Sequence, residues 1–184
     1  AFTLGKMGSK AAITPLIEAL NMETNIEIQV ELISSLGKLD ATESVDILTQ
    51  FTASPEERVR IAVVNAFKEI RDPKTVPSLI KLMQDSSSSV RKATIDALGV
   101  MKDNQSVSYI IPLLTDKDQF VVQSAITALS KIGSPEAVPG LIELLKLDNK
   151  ELAQSAAFAL GKLGDVSAVE SLIEALNDKD DRLR

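Results

Sequence analysis

In the stretch VPGLIELL, apolar residues fall at Val138, Leu141, Ile142 and Leu145. That spacing, i, i+3, i+4, i+7, is the stripe of an amphipathic α-helix. In VRKATIDALG, the residues Val90, Ala93, Thr94, Ala97 and Leu98 make a second stripe. Both stripes return along the chain. With Leu4 of the opening LGK as a marker, the counterparts are Leu36, Phe67, Leu98, Leu129 and Leu160, at steps of 32, 31, 31, 31 and 31 residues. Nine residues after each marker stands Ile13, Val45, Val76, Val107, Val138 or Val169, and twelve after stands Leu16, Leu48, Leu79, Ile110, Leu141 or Leu172. Eight before stand Ile28, Val59, Val90, Val121 and Leu152, and four before stand Leu32, Val63, Thr94, Ala125 and Ala156. A period held this tightly predicts an array of two-helix units.

Glycines punctuate each unit after the first helix: Gly5 and Gly8, Gly37, Gly99, Gly133, Gly161 and Gly164. Their place predicts helix stops, since glycine accepts the left-handed conformation of a helix end. Asp72-Pro73 and Ser134-Pro135 read as cap and first residue of the second helix. The low-complexity run Asp85 to Ser89 stays in register with Asp116 to Phe120, so it reads as an inter-repeat turn with a serine cap rather than a linker. One hairpin cannot bury its stripe alone, but stacked hairpins can. Small residues in the first helices (Ala62, Ala93, Ala128, Ala159) suit close approach. The expected fold class is all-α, a right-handed α–α superhelix of about six repeats.

The ends fit the same register. AFTLGKMG, residues 1 to 8, matches AFALGKLG, Ala157 to Gly164, and DKDDRLR, Asp178 to Arg184, matches DSSSSVR, Asp85 to Arg91. The expectation is one solenoid over residues 1–184, cut from a longer array at both ends. Apolar faces around Ala1, Leu4 and Leu183 would then be left to fray or to associate end to end.

Composition narrows the chemistry. Histidine is absent, which removes the commonest metal ligand and general base, and cysteine is absent, which removes thiolate chemistry. No glycine-rich phosphate loop and no Ser-His-Asp set occurs. Carboxylates at repeat spacing on helices read as solvated surface. The reading is therefore non-enzymatic, with no cofactor and no metal. A net charge of -6 is a poor match to nucleic acid. No apolar run reaches the length of a membrane span and no signal peptide is visible, so a cytoplasmic location is expected.

LSKIGSPEAVPGLIELL, residues 129–145, and ALGKLGDVSAVESLIEAL, residues 159–176, resemble the HEAT-like repeats of the phycobilisome-lyase type, and the resemblance covers essentially the whole chain. In that family an arginine often follows the first-helix valine, with an aspartate in the preceding turn. Asp85 with Arg91 and Asp178 with Arg184 keep both; Arg60 lacks the aspartate, since Ser54 stands there, and Asp116 lacks the arginine, since Val122 stands there. These residues read as structural ties between turns. HEAT-like di-iron hydroxylases need His-Glu ligand pairs and HEAT-like DNA glycosylases use basic grooves with aromatics; this chain has neither histidine nor tryptophan and is acidic. What the resemblance implies is an interaction scaffold, or else a bilin lyase-like or maturation subunit acting with another chain.

In such solenoids the second helices line the concave binding face. Its positions lie ten, eleven, fourteen and eighteen residues after each marker. They hold the acids Glu18, Asp46, Asp85, Asp116, Glu143, Glu170, Glu174 and Asp178, and one base, Lys81. Four other lysines, Lys6, Lys38, Lys131 and Lys162, stand two after the marker and read as partners of first-helix C-termini. The second helix VSYIIPLL carries Pro112 where other repeats have Glu18, Gln50, Lys81, Glu143 or Glu174. A proline that deep loses a backbone hydrogen bond and kinks the helix. Tyr109, the only tyrosine, shares its outward face, and Ile47 shares Tyr109's column two units away. The candidate partner-binding residues are Tyr109, Pro112, Ile47, Lys81, Glu143, Glu174 and Asp46, and the expected partner is a basic or amphipathic protein or peptide.

Overall fold

The computed structural model describes residues 10–176. Every described element is helical, and no strand occurs among the described residues. The fold is all-α, of the α–α superhelix class anticipated from the 31-residue period.

The chain divides into two compact units, Ala1–Ala97 and Leu98–Arg184. The first holds α1 (Ile13–Met22), α2 (Ile26–Lys38), α3 (Val45–Gln50), α4 (Glu57–Ile70) and α5 (Val76–Leu82). The helix α6 (Ser88–Met101) begins in the first unit and ends in the second. The second unit continues with α7 (Val107–Ile110), α8 (Gln119–Ile132), α9 (Val138–Leu145), α10 (Lys150–Leu163) and α11 (Val169–Leu176). Long even-numbered helices are the first helices of the repeats; short odd-numbered ones are the second. The calls on Ala1, Leu4, Lys6, Asp178 and Leu183 lie outside the described residues.

Burial follows the stripes. In the first unit Val59, Val63 and Phe67 of α4 are buried together with Leu32 and Leu36 of α2 and Leu48 of α3. In the second, Val121, Ala125 and Leu129 of α8 are buried with Ile110 of α7 and Leu141 of α9. Thr94, the polar member of its column, is fully buried because its hydroxyl donates to the Val90 carbonyl at 2.8 Å. Ile28 departs from its column and is exposed in the first turn of α2.

Among the described glycines only Gly133 and Gly164 end helices. Gly37, Gly99 and Gly161 do not stop their helices; they lie inside α2, α6 and α10. At Gly37 an added Cβ would stand 2.8 Å from the Ala66 Cα, and at Gly99 it would stand 2.8 Å from the Ala128 Cβ. The missing side chain is what lets neighbouring first helices touch. The left-handed stop comes four residues after the marker, at Asp40, Arg71, Lys102, Gly133 and Gly164, with φ of 52, 52, 54, 82 and 68°. Three of these five stops are therefore made without glycine.

Asp72-Pro73 and Ser134-Pro135 open a three-residue 3-10 turn, and the α-helix begins after it, at Val76 and Val138. Asp72 caps that turn by accepting from the Lys74 N–H, and Asp103 and Asp165 do the same for Ser106 and Ser167. The Ser134 side chain makes no such bond. In the turn before α6 the Asp85 carboxylate accepts from the Ser87 N–H at 2.8 Å.

Candidate functional site

Positions nine and twelve after the marker are buried in the second helices of the earlier repeats, for example Val107 and Ile110 in α7 and Val138 and Leu141 in α9, whereas in α11 Val169 is exposed and Leu172 half-buried. Helical geometry then turns positions ten, eleven and fourteen outward. In the first unit this face carries Glu18, Asp46 and Lys81, all exposed, and Ile47, half-buried. In the second unit it carries Tyr109, Pro112, Glu143, Glu170 and Glu174, all exposed. Each candidate residue thus stands on the surface of the second helix assigned to it.

Pro112 has a local effect. The α-helical part of that repeat, α7, ends at Ile110, and residues Ile111–Thr115 continue as a 3-10 turn. Proline lacks the N–H that would bond the Ser108 carbonyl and clashes with that turn. The chain relieves this by tightening. Tyr109 stands one turn before the break with its ring half in solvent, at 51% exposure. Its column neighbour one repeat on is Gly140, which adds no side chain; the Leu114 methyl fills the space a Cβ would take, at 2.8 Å.

The charge on this face is reduced from the sequence count. Asp85 belongs to the framework rather than the surface. Its side chain is 9% exposed and takes a two-point bond from Arg60, Nε to Oδ2 at 2.7 Å and Nη2 to Oδ1 at 2.9 Å. Burial pushes the Asp85 pKa up, but the bonds from Arg60 and the Ser87 N–H, with the charges of Arg60 and Arg91, outweigh it and hold the pKa below the ordinary carboxylate value. The bond to Asp85 likewise raises Arg60 above its ordinary value. The exposed acids that remain are Glu18, Asp46, Glu143, Glu170 and Glu174, against Lys81; Glu143 also takes a surface ion pair from Lys146 at 2.7 Å.

The Arg60–Asp85 bond corrects the pairing taken from the sequence. Arg60 does not lack its aspartate: it reaches forward 25 residues to the next turn, not back six. Backward it donates to the Ser54 and Pro55 carbonyls, at 2.8 and 3.0 Å. Arg91 likewise donates to the Asp85 and Ser86 carbonyls, at 2.9 and 3.3 Å. In the repeat before Arg60, Gln29 performs the same backward contact, from Nε2 to the Glu23 carbonyl at 2.7 Å. The side chain thus ties its own entry turn, and where it is arginine it also ties the following one. In four of the five registers the two forward-paired columns change together, Gln29 with Ser54, Arg60 with Asp85, Arg91 with Asp116 and Val122 with Leu147, while Ala153 stands against Asp178.

Beside Glu174 a groove of 420 Å³ opens between α9 and α11, lined also by Ile142, Leu145, Leu147 and Lys150. No cluster of three or more potential metal-ligating acids occurs among the described residues. No helix among them is long and apolar enough to cross a membrane.

Comparison with known proteins agrees with this architecture. The family described as HEAT repeats matches residues 13–99, 48–129 and 76–158, and that described as PBS lyase HEAT-like repeat matches residues 1–22 and 152–178. No match emerges among the curated proteins. Among solved structures, the complex of CpcE and CpcF of phycocyanin lyase from Nostoc sp. PCC7120 is 25% identical, over 97% of this chain and 74% of that one, with a TM-score of 0.62. A designed armadillo repeat protein in complex with the peptide (KR)4 is 20% identical, over 88% of this chain and 90% of that one, with a TM-score of 0.67. The Kap95p structure with RanGDP is 17% identical, over 95% of this chain and 26% of that one, with a TM-score of 0.64.

Proposed function

The chain belongs to the HEAT-repeat family, and from that membership we propose that it is a non-catalytic protein-interaction scaffold that takes a basic or amphipathic peptide segment on its second-helix face. The observation that carries this reading is the half-exposed ring of Tyr109 beside Pro112, on a face whose other exposed charges are mainly acidic. The ring supplies contact area and its hydroxyl keeps a polar contact. Glu143, Glu170 and Glu174 attract a cationic partner and orient it. Asp46, Ile47 and Lys81 make the separate contact of the first unit. The designed armadillo protein that carries the (KR)4 peptide is a fold-level precedent. The proposed setting is the cytoplasm, with end-to-end association through the terminal helices as an additional contact.

The test is capture of partners from the source cell on wild-type and Tyr109→Ala protein, followed by affinity measurement on the recovered segment. Tyr109→Ala should weaken binding by more than about 1 kcal/mol while leaving the melting temperature nearly unchanged. Normal binding by that variant, or tight salt-sensitive binding of duplex DNA by the wild type, would defeat the reading.

A second reading is favoured by one comparison. The phycocyanin lyase complex aligns over nearly the whole chain, and both matched ends carry the PBS lyase type of repeat. On this reading the protein is a lyase-like or maturation subunit that works beside another chain. Mixing with a free bilin separates the two: a shifted visible absorbance supports the subunit, and an unchanged spectrum supports the peptide scaffold.

A further inference from the structure

The outer side of the second unit carries a feature that the second-helix face does not use. Two phenylalanines stand on first helices where no core needs them: Phe120 on α8, 64% exposed, and Phe158 on α10, 76% exposed. Both occupy columns that are otherwise polar in the described repeats. Phe120 aligns with Glu27, Arg58, Ser89 and Glu151, and Phe158 aligns with Ser34, Asn65, Asp96 and Thr127. (The remaining phenylalanine of the second column, Phe2, lies outside the described residues.) Isolated exposed apolar residues are ordinary, but these two line adjoining clefts between α8 and α10 that share Gln123.

The larger cleft, a groove of 470 Å³, has the buried Ile126 and Ala159 at its floor and Phe158 in its wall with the polar Gln123, Thr127 and Ser155. A smaller cleft with Phe120 and Glu151 continues it, and Gln123 lines both. The Thr127 hydroxyl in its wall donates to the Gln123 carbonyl at 2.9 Å. Charge is graded along its length. Lys131 and Lys162, in the last turns of α8 and α10, both line the groove at its C-terminal end. Glu151, in the first turn of α10, stands at the other end. No carboxylate lines the larger groove among the described residues. In a chain of net charge -6 this is a local reversal of sign.

We infer that the α8–α10 groove is a docking site for an amphipathic helix with carboxylates in its first turn and a base in its last, laid antiparallel to α8 and α10. From Phe120 to Lys131 the groove spans about 16 Å of helix axis, or three turns. An apolar stripe at i, i+4, i+7 and i+11 meets the exposed rings of Phe120 and Phe158. The partner's acids then meet Lys131 and Lys162, and its base meets Glu151. This charge order also suits the partner's own macrodipole, which favours acids at its N-terminus and bases at its C-terminus. The site stands independently of the second-helix face and takes a partner of the opposite lead charge.

Two synthetic helical peptides of about fourteen residues test it, equal in composition and stripe, one with acids first and bases last, the other with the order reversed. Fluorescence anisotropy with the 184-residue chain should show the acid-first peptide binding at least tenfold more tightly. Phe158→Ser should remove that advantage with an unchanged circular-dichroism melt, because the ring is mostly in solvent. Lys131→Glu with Lys162→Glu should reverse the preference, and Tyr109→Ala should leave it alone. Equal binding of the two peptides, or indifference to Phe158→Ser, overturns the proposal. So does a Phe158-dependent dimer in sedimentation equilibrium, which would make a second copy the occupant.

Discussion

Replacing Arg60 by Ala removes four hydrogen bonds: two to the Asp85 carboxylate and one each to the Ser54 and Pro55 carbonyls. The ion pair is nearly out of solvent, with side-chain exposures of 12% and 9%, so the weak worth of surface pairs does not apply to it. The variant leaves the Asp85 carboxylate with the Ser87 N–H and the charge of Arg91. Breaking a buried pair by deleting one partner costs roughly 3–5 kcal/mol. The remaining charge of Arg91 places the expected loss at the low end, about 3 kcal/mol. Urea unfolding followed by circular dichroism near neutral pH measures it. Asp85→Ala should cost somewhat less, since Arg60 keeps its bonds to the Ser54 and Pro55 carbonyls, and the double variant should be little worse than Arg60→Ala. The coupling energy should then be about 2 kcal/mol. A further variant, Arg60→Gln with Asp85→Ser, installs the pair that the preceding repeat carries at Gln29 and Ser54 and should recover most of the loss. A cost below about 1 kcal/mol for Arg60→Ala, or additivity of the two single variants within about 0.5 kcal/mol, would refute the inter-turn tie.

Gly99→Ala should destabilise by about 1–3 kcal/mol in the same assay, because its Cβ would sit 2.8 Å from Ala128 and 2.9 Å from the Ala128 backbone; a neutral result would mean that the helices separate easily. Lys102→Gly should stabilise by about 0.5–1 kcal/mol, since residue 102 holds a φ of 54° that costs a side chain more than glycine. The contribution of Asp85 should depend on pH. Its carboxyl is held below its ordinary value, so the stability it adds is complete above about pH 4 and is lost as the pH falls through its lower folded value. The gap in urea midpoint between wild type and Asp85→Asn should therefore close on acidification and stay constant between neutral and mildly alkaline pH.

The period made the fold readable. Buried and exposed columns in α4, α8 and α9 stand where the marker arithmetic puts them, because helix packing in a repeat answers to nearest neighbours. The glycine reading was half legible. Gly133 and Gly164 do end helices, whereas Gly37 and Gly99 serve a close approach between helices that are distant in sequence. Spacing alone does not separate these roles. The stops at Asp40, Arg71 and Lys102 carried no composition signal at all. Within the site, Tyr109, Pro112 and Glu143 were legible as outward positions, and Pro112 as a break. Asp85 was not: a column eighteen residues after the marker looks exposed until Arg60 reaches it from the preceding repeat. The joint change from Gln29 with Ser54 to Arg60 with Asp85 and Arg91 with Asp116 was a partial signal, broken at Ala153 with Asp178. The groove between α8 and α10 was missed because Phe120 and Phe158 occupy different columns, and only packing brings their helices side by side.

Tyr109 is the only tyrosine and the chain has no tryptophan, so the intrinsic emission of the protein reports on one place in the second-helix face. Titrating wild-type protein with an unlabelled alternating Lys-Arg octapeptide, with a Gly-Ser octapeptide as control, tests the scaffold reading most directly. The account predicts a saturable change in tyrosine emission with the basic peptide alone, weakened by salt and abolished by Glu143→Lys with Glu174→Lys. Flat emission throughout the titration, or a change that persists in high salt and in the charge-reversed variant, would contradict it.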